Sequence, residues 1–141
     1  MTKEEKELLV KDLCGRLPYW PDVKTTDKDK GYIIGIDNTE EGVFHVHILE
    51  DGDSYTCDMP IENFKPYLRP MSSMTEEERR YISDKCGFSI SGPIRNECEL
   101  IMPVLAADWL IDFYNEHHID YRGFIEKGIA LKAPENMYKE I

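Results

Sequence analysis

The chain has 141 residues, of which 41% are hydrophobic and 32% are charged, and its formal net charge at pH 7 is -11. This length accommodates one compact unit, and the hydrophobic fraction suffices for a folded core. The 17 Lys and Arg residues face 28 Asp and Glu residues in a deficit shared by both halves, so no concentrated basic patch exists for phosphate contacts. Binding of nucleic acids or anionic membranes is therefore disfavoured. The alternative that the protein has an acidic surface that mimics DNA is not excluded.

The cysteine spacing and the absence of common catalytic motifs exclude further classes of binding site and enzyme. The four cysteines form no C-x-x-C pair, which excludes the usual spacing of a zinc knuckle. The start MTKEEKELL has no apolar signal region, and the longest uncharged apolar run, 100–107, is too short to span a bilayer. Phosphate-binding loops, dinucleotide fingerprints and the common hydrolase motifs are absent from the sequence. These features predict a cytoplasmic protein with reduced thiols, no membrane partner and no cofactor.

The first element is predicted to be an amphipathic helix. Thr2 and Glu5 have the spacing of a capping box, and Leu9 and Leu13 follow at helical spacing. Gly15 is suited to a left-handed stop. The pattern predicts a helix of about three turns that ends at Gly15.

Between residues 23 and 68 the hydrophobic period changes to two. The runs 32–36, 43–49 and 54–59 are rich in β-formers and are separated by DNTEEG and EDGD, which are hairpin-loop compositions. The segment PIENFKPYL at 60–68 predicts one helical turn and then a further short strand. Five short strands with a one-turn helix before the last are the plan of a small SH3-like barrel, a fold pattern that serves many functions.

The second half is predicted to be mainly helical. Thr75 and Glu78 match a capping box, as do Ser73 and Glu76, and the helix they begin is predicted to continue to Cys86. Residues 88–102 give no readable pattern. The chain as a whole is therefore predicted to be an α+β protein.

A further helix is predicted from Pro103 onward, and it leads into a corner with two histidines. At 100° per residue His117 falls in the apolar stripe of this helix and is predicted to face the core. Asp120 is placed as the N-cap of a last helix, 121–127. The predicted architecture is an N-terminal helix and an SH3-like five-stranded barrel in residues 1–70, with a helical lobe in residues 71–141. The two parts are expected to form one two-lobed unit.

This corner holds the candidate catalytic or ligand-binding residues, which are His118, Asp120, Tyr121 and Arg122. The adjacent histidines cannot chelate one ion from a regular helix, because they point about a quarter-turn apart. Each of the four candidates also has a structural role at the meeting of two helices. The structural interpretation is therefore favoured, and catalysis or ligand binding stays as the alternative.

Two other groups of side chains are candidates for binding. His45 and His47 project side by side from one strand face, which is a geometry for metal binding, but the sequence nominates no further ligand and no metal is predicted. Small barrels often bind peptides or methylated side chains through aromatic clusters. The aromatic candidates, which can equally fill the barrel core, are Tyr19, Trp20, Tyr32, Tyr55 and Tyr67.

Three segments together carry a resemblance. They are KELL with DLC in the first helix, KPYLRPMSSMTEEE at 65–78, which is the most specific, and HHIDYRGFIEKG at 117–128. They are similar to a family of small uncharacterised proteins from gut-dwelling anaerobic bacteria, their mobile elements and their phages. In that family the tryptophan lies closer to the histidine pair, as in WLNAHH, whereas here the helix after Trp109 is about one turn longer.

The resemblance implies an intracellular bacterial or prophage setting and one two-lobed unit. It assigns no catalytic residue, because the family has no established activity. The sequence thus predicts a non-enzymatic module that binds an unidentified protein partner. A small enzyme or ligand-binding protein that uses the corner, and an acidic DNA mimic, are the alternatives.

Overall fold

The computed structural model describes residues 1–50, 52–86 and 107–138, and these form three α-helices, seven strands and three single 3₁₀ turns. The helices are α1 (Lys3–Arg16), α2 (Glu76–Cys86) and α3 (Ala107–Glu116). The strands are β1 (Asp22–Thr25), β2 (Lys30–Asn38), β3 (Val43–Glu50), β4 (Asp53–Pro60), β5 (Phe64–Pro70), β6 (Ile119–Asp120) and β7 (Leu131–Lys132). The 3₁₀ turns are Leu17–Tyr19, Ile61–Asn63 and Met71–Ser73.

The strands form one sheet in the order β4-β3-β2-β1-β5-β6, with β7 also paired to β5. Strands β1 to β5 pair antiparallel along this path, whereas β6 and β7 lie parallel to β5. The described path has two ends, β4 and β6, and is not closed into a barrel. The α+β class, the N-terminal helix and a C-terminal helix are confirmed, whereas the SH3-like barrel is not.

Alternation along β3 shows why the sheet has a buried and a solvent-facing side. Phe44, Val46 and Ile48 are at most 1% exposed, while His45 and His47 between them lie on the opposite side. Side chains at successive strand positions point to opposite faces, so this sequence can bury only one face. The inward face packs against α1.

Among the described residues, two clusters of buried apolar side chains stabilise the fold. The first joins α1 and the sheet to the segment after the corner, and it contains Leu9, Leu13, Val23, Ile33, Phe44, Val46, Ile48, Ile61, Phe64, Leu68, Phe124, Ile129 and Ala130. The second joins α2, α3 and the corner, and it contains Met71, Met74, Ile82, Leu110, Phe113, Tyr114, Ile119 and Tyr121. The described segment after α3 therefore contributes side chains to both clusters.

The ends of three predicted helices are informative. The first continues past Gly15 to Arg16, because Gly15 does not adopt the left-handed conformation that would end a helix. A Cβ at Gly15 would lie 2.9 Å from the Asn115 side chain, so the glycine instead permits α1 to approach α3 closely. Helix α2 extends to Cys86, which is the last residue described before 107. The predicted helix at 121–127 is wrong, since these residues form consecutive turns. The start predicted at Pro103 and the segment 88–102 lie outside the described residues.

Candidate functional site

The corner is created by the backbone of His118, which is the second residue after the end of α3. Its φ of 59° is left-handed, and it redirects the chain from the helix into β6. The His118 carbonyl accepts a hydrogen bond from the Arg69 amide at 2.7 Å, which begins the pairing of β6 with β5. A left-handed residue after a helix is a common way to end it.

Asp120 is buried at the corner and holds the turn that follows it. One carboxylate oxygen accepts a hydrogen bond from the Phe124 amide and the other from the Ile125 amide, both at 2.9 Å. Because these amides bond to the side chain, the chain forms a turn where a helix was predicted. Both carboxylate oxygens thus have structural partners.

Tyr121 and Arg122 contribute to the packing around the corner. Tyr121 is buried and stacks on Tyr114 with 5.4 Å between the ring centroids, and the Arg122 guanidinium lies 4.8 Å from the Tyr121 ring. Burial, with the nearby charge of Asp12, raises the pKa of Tyr121. Its hydroxyl is therefore kept neutral at physiological pH.

A charge network that the sequence reasoning missed lies under the corner. Arg16 donates to Asp12 at 2.7 Å and to the Ile119 carbonyl at 2.7 Å, and both charged side chains are fully buried. Arg122 donates to the same carboxylate at 3.1 Å. The signal was present in α1, because Asp12 and Arg16 share the helical stripe of Leu9 and Leu13. Charged residues in an apolar stripe indicate a buried pair.

His118 is only 3% exposed and stacks on Tyr138, with 3.7 Å between the ring centroids. Burial, and then the positive charges of Arg16, His117 and Arg69, lower the pKa of His118 to about 3. The Tyr138 hydroxyl accepts from the Asp22 amide and donates to the Tyr67 carbonyl, both at 2.9 Å, and so bridges β1 and β5. Burial raises the pKa of this hydroxyl far above its usual range. Neither ring exchanges a proton near neutral pH.

His117, predicted to face the core, is half-buried and belongs to a second ion-pair group. Arg69 forms two hydrogen bonds with Glu78, at 2.9 and 2.7 Å, and His117 Nδ1 lies 3.2 Å from the same carboxylate. Burial alone would raise the pKa of Glu78, but the hydrogen bonds from His117 and Arg69 hold it well below its usual range. A half-open cleft of about 1230 Å³ adjoins this group, and His118, Asp120, Tyr121 and Arg122 do not line it.

The solvent-facing side of the sheet, which we call the outer face, presents an aromatic row. Tyr32, His47 and Thr56 are register partners on β2, β3 and β4. Trp20 stacks on Tyr32 with 5.9 Å between the centroids, and the His47 ring lies 5.1 Å from Tyr32 on the other side. Trp20 is 61% exposed, and Ile34 on β2 and Leu49 on β3 are also exposed, at 41% and 48%. The outer face thus exposes the Trp20 ring and two aliphatic side chains to solvent.

The other predicted aromatic residues lie elsewhere. Tyr19 is half-buried in the 3₁₀ turn after α1, Tyr55 on β4 donates to Glu50 at 3.3 Å, and Tyr67 is half-buried on β5. Only the pairing register, and the left-handed φ of 48° that lets Trp20 fold back over the sheet, bring Trp20 and Tyr32 together.

Beside the aromatic row, a histidine and two aspartates approach one another on the outer face. One donor atom from each of Asp37, His45 and Asp58 lies within 4.8 Å of the other two. His47, the other candidate histidine on this strand face, instead places its Nδ1 3.1 Å from the Thr56 hydroxyl. The sequence could not nominate the aspartates, because the hairpin register that places Asp58 opposite His45 is not local information.

The two regions therefore differ in what they offer a ligand. At the corner the polar side chains contact the protein itself, whereas the outer face directs aromatic, imidazole and carboxylate groups to solvent. No helix in the described part of the chain is long and apolar enough to cross a membrane. Comparison of the chain with protein-family models, curated proteins and solved structures gives no match.

Proposed function

We propose that the protein is a non-enzymatic protein-interaction module whose outer face binds a partner segment with cationic side chains. The observation that carries this proposal is the aromatic row on the outer face, in which Trp20 is exposed and stacks on the half-buried Tyr32, which is followed by the half-buried His47. Clustered exposed apolar side chains on a small protein are typical of an interaction surface. Trp20 keeps this position in a left-handed conformation that disfavours any residue with a Cβ, which supports a role for its ring at the surface.

Electrostatics favours a cationic partner over an acidic one. The chain carries a net charge of -11, and the outer face has Asp22 opposite Tyr32 as well as Asp37 and Asp58 beside the row. Aromatic ring faces attract Lys and Arg side chains, and the attraction is strongest for tryptophan. A basic peptide would gain both from the rings and from the carboxylates.

The alternative of an enzyme at the corner receives less support. The Asp120 carboxylate accepts two backbone hydrogen bonds, Arg122 binds Asp12, and His118 lies under Tyr138. A catalytic group needs an approach for its substrate and a pKa suited to proton transfer, and the lowered pKa of His118 does not meet the second need.

The setting of this module is also part of the proposal. The strand order β4-β3-β2-β1-β5, with a 3₁₀ turn directly before β5, is compatible with an SH3-like barrel, and we propose that arrangement. From the sequence resemblance we propose a bacterial, phage or mobile-element origin and a cytoplasmic location. The partner is then another intracellular protein with an accessible basic segment.

A peptide-binding measurement tests the proposal. Fluorescently labelled peptides of equal length, rich in Arg and Lys, neutral, or rich in Asp and Glu, would be titrated with the protein in a chelator-containing buffer, and anisotropy would be recorded. We expect the basic peptides to bind at least about tenfold more tightly than the acidic ones. Trp20→Ala should weaken binding about tenfold, which corresponds to roughly 1.4 kcal/mol.

Tyr81→Ala is the matched control, because Tyr81 on α2 is a similarly exposed aromatic residue, at 47%, away from the outer face. This variant should bind the basic peptides like the wild type. Equal affinity for all three peptide classes, or equal losses in the two variants, would contradict the proposal.

A further inference from the structure

We infer that the outer face also carries a binding site for a divalent transition-metal ion, with Asp37 and His45 as its ligands and Asp58 holding the imidazole in place. Asp37 and Asp58 also contribute to the acidic surroundings of the proposed peptide surface, but the metal site contains no residue of the aromatic row and does not need the proposed partner. Zn²⁺ is the ion we take as the probe.

The sheet itself brings the three side chains together. His45 on β3 is paired with Asp58 on β4 and with Gly35 on β2. Asp37 follows two residues after Gly35, where β2 has a second irregularity in its pairing, between Ile36 and Asn38. Irregularities of this kind redirect side chains at the edge of a regular ladder. Three adjacent strands thus fix the backbone positions of the site.

The distances fit one ion between His45 and Asp37. The Nε2 atom of His45 lies 3.8 Å from Asp37 Oδ1. Two ligands of a tetrahedral zinc ion, with bonds of roughly 2.0 to 2.2 Å, lie about 3.4 Å apart. The Asp37 side chain is 51% exposed, so it can move the few tenths of an ångström that would bring both atoms to the ion.

Asp58 occupies the position of a residue that orients a metal-bound histidine. Its Oδ1 lies 2.5 Å from the Nδ1 atom of His45, on the opposite side of the ring from Asp37. A metal-binding histidine usually donates its other ring N–H to a carboxylate, and this contact fixes the tautomer that leaves a lone pair for the metal. With Nδ1–H directed at Asp58, the lone pair of Nε2 faces the Asp37 carboxylate. A cation between them removes the repulsion of these two electron-rich atoms.

The donor types select the class of ion. Imidazole with carboxylate suits zinc and other first-row transition metals, whereas calcium and magnesium prefer sets of oxygen donors. Water completes the coordination shell, because the site is exposed and supplies two direct protein ligands. Binding should accordingly be weaker than at a structural zinc site with four protein ligands.

Calorimetric titration of the metal-free protein with ZnCl₂, at a pH above the usual pKa of histidine, tests the site. We expect His45→Ala and Asp37→Asn each to weaken the affinity of the site by more than tenfold. Asp58→Asn should weaken it by roughly tenfold, in line with losses at other residues that orient metal ligands. His47→Ala is the matched control, because this histidine lies on the same strand face and should leave the affinity unchanged.

Cysteine thiols also bind zinc, so the titration is repeated with Co²⁺ on protein whose thiols have been alkylated. NMR of the histidine rings gives an independent readout, and zinc should shift the resonances of His45 while leaving those of His47 in place. The inference is overturned if wild-type protein binds no Zn²⁺ or if His45→Ala binds it like the wild type. Because this titration contains no peptide, its failure leaves the result of the peptide test unaffected.

Discussion

The two histidine pairs of this chain show how differently similar residues are used. His117 and His118 stand in the stretch with the most concentrated chemistry of the sequence, yet His118 is buried and His117 pairs with Glu78. His45 and His47 stand in an ordinary alternating strand, and both face the solvent-exposed side of the sheet. His45 and His47, which have fewer polar neighbours in sequence, are therefore the pair whose side chains are more accessible to a ligand.

The difference follows from the backbone around each pair. A chain reversal leaves amides and carbonyls without partners in regular structure, and nearby polar side chains are used to satisfy them, as Asp120 does for two amides. In a strand the ladder satisfies the backbone, so outward side chains are left for other contacts. A dense polar motif at a reversal is thus a poor guide to a ligand site.

The largest expected effect tests whether the corner is held by its buried charges. Asp12→Ala leaves the fully buried Arg16 without its carboxylate partner, and the free energy of unfolding should fall by about 3–5 kcal/mol. Urea unfolding followed by circular dichroism measures this loss. Glu62→Ala is the control, because Glu62 pairs with Lys6 at the surface and its removal should cost at most about 1 kcal/mol. Equal losses in the two variants would show that the network contributes little.

A smaller effect is expected in the pH dependence of stability. The pKa of His118 is about 3 in the folded protein, against an ordinary value of 6.5, so the unfolded chain binds more protons between these values. Stability should therefore be full above pH 6.5 and should fall as the pH decreases toward 3, by at most about 1.4 kcal/mol per pH unit. Unfolding measured between pH 6.5 and 5 falls within this window and avoids the titration of Glu78, whose pKa is held well below its usual range.

His118→Asn sharpens this test, since asparagine tolerates the left-handed backbone and does not titrate. The slope between pH 6.5 and 5 should decrease in this variant, because the contribution of His118 is removed, whatever the overall stability of the variant. If the slope is unchanged in His118→Asn, the burial of this ring does not control the acid sensitivity.

Much of the fold could be predicted because its signals are local. The capping box of α1, the alternation in β3, the loops DNTEEG and EDGD, and the capping box of α2 each specify structure within a few residues. The strands β6 and β7 could not be predicted, because two residues carry no periodicity and their partner β5 is distant in sequence. The turns at 121–128 also escaped prediction, because the Asp120 carboxylate competes with helical hydrogen bonds.

The candidate site was only partly predictable for a related reason. Trp20, Tyr32 and His45 were identified from residue type and alternation, but their neighbours depend on strand register and on one left-handed residue. Asp37 and Asp58 are ordinary loop and strand carboxylates in sequence, and only the sheet brings them to His45. Individual candidate residues can thus be identified from the sequence, whereas the groups that they form can be identified only from the folded structure.

The smallest expected effect on stability is that of a substitution at Trp20 on the outer face. It contrasts with the large effect expected at the corner. Trp20→Gly removes the stacking on Tyr32 but relieves a left-handed φ of 48°, which glycine adopts without a steric cost. These two effects are each about 1 kcal/mol and oppose each other, so the free energy of unfolding in urea should change by less than about 1 kcal/mol. Affinity for basic peptides should nevertheless fall as in Trp20→Ala. A loss of stability as large as that of Asp12→Ala would instead make the Trp20 ring part of the structural core. Unchanged stability with lost binding is the combination expected of a residue retained for its surface.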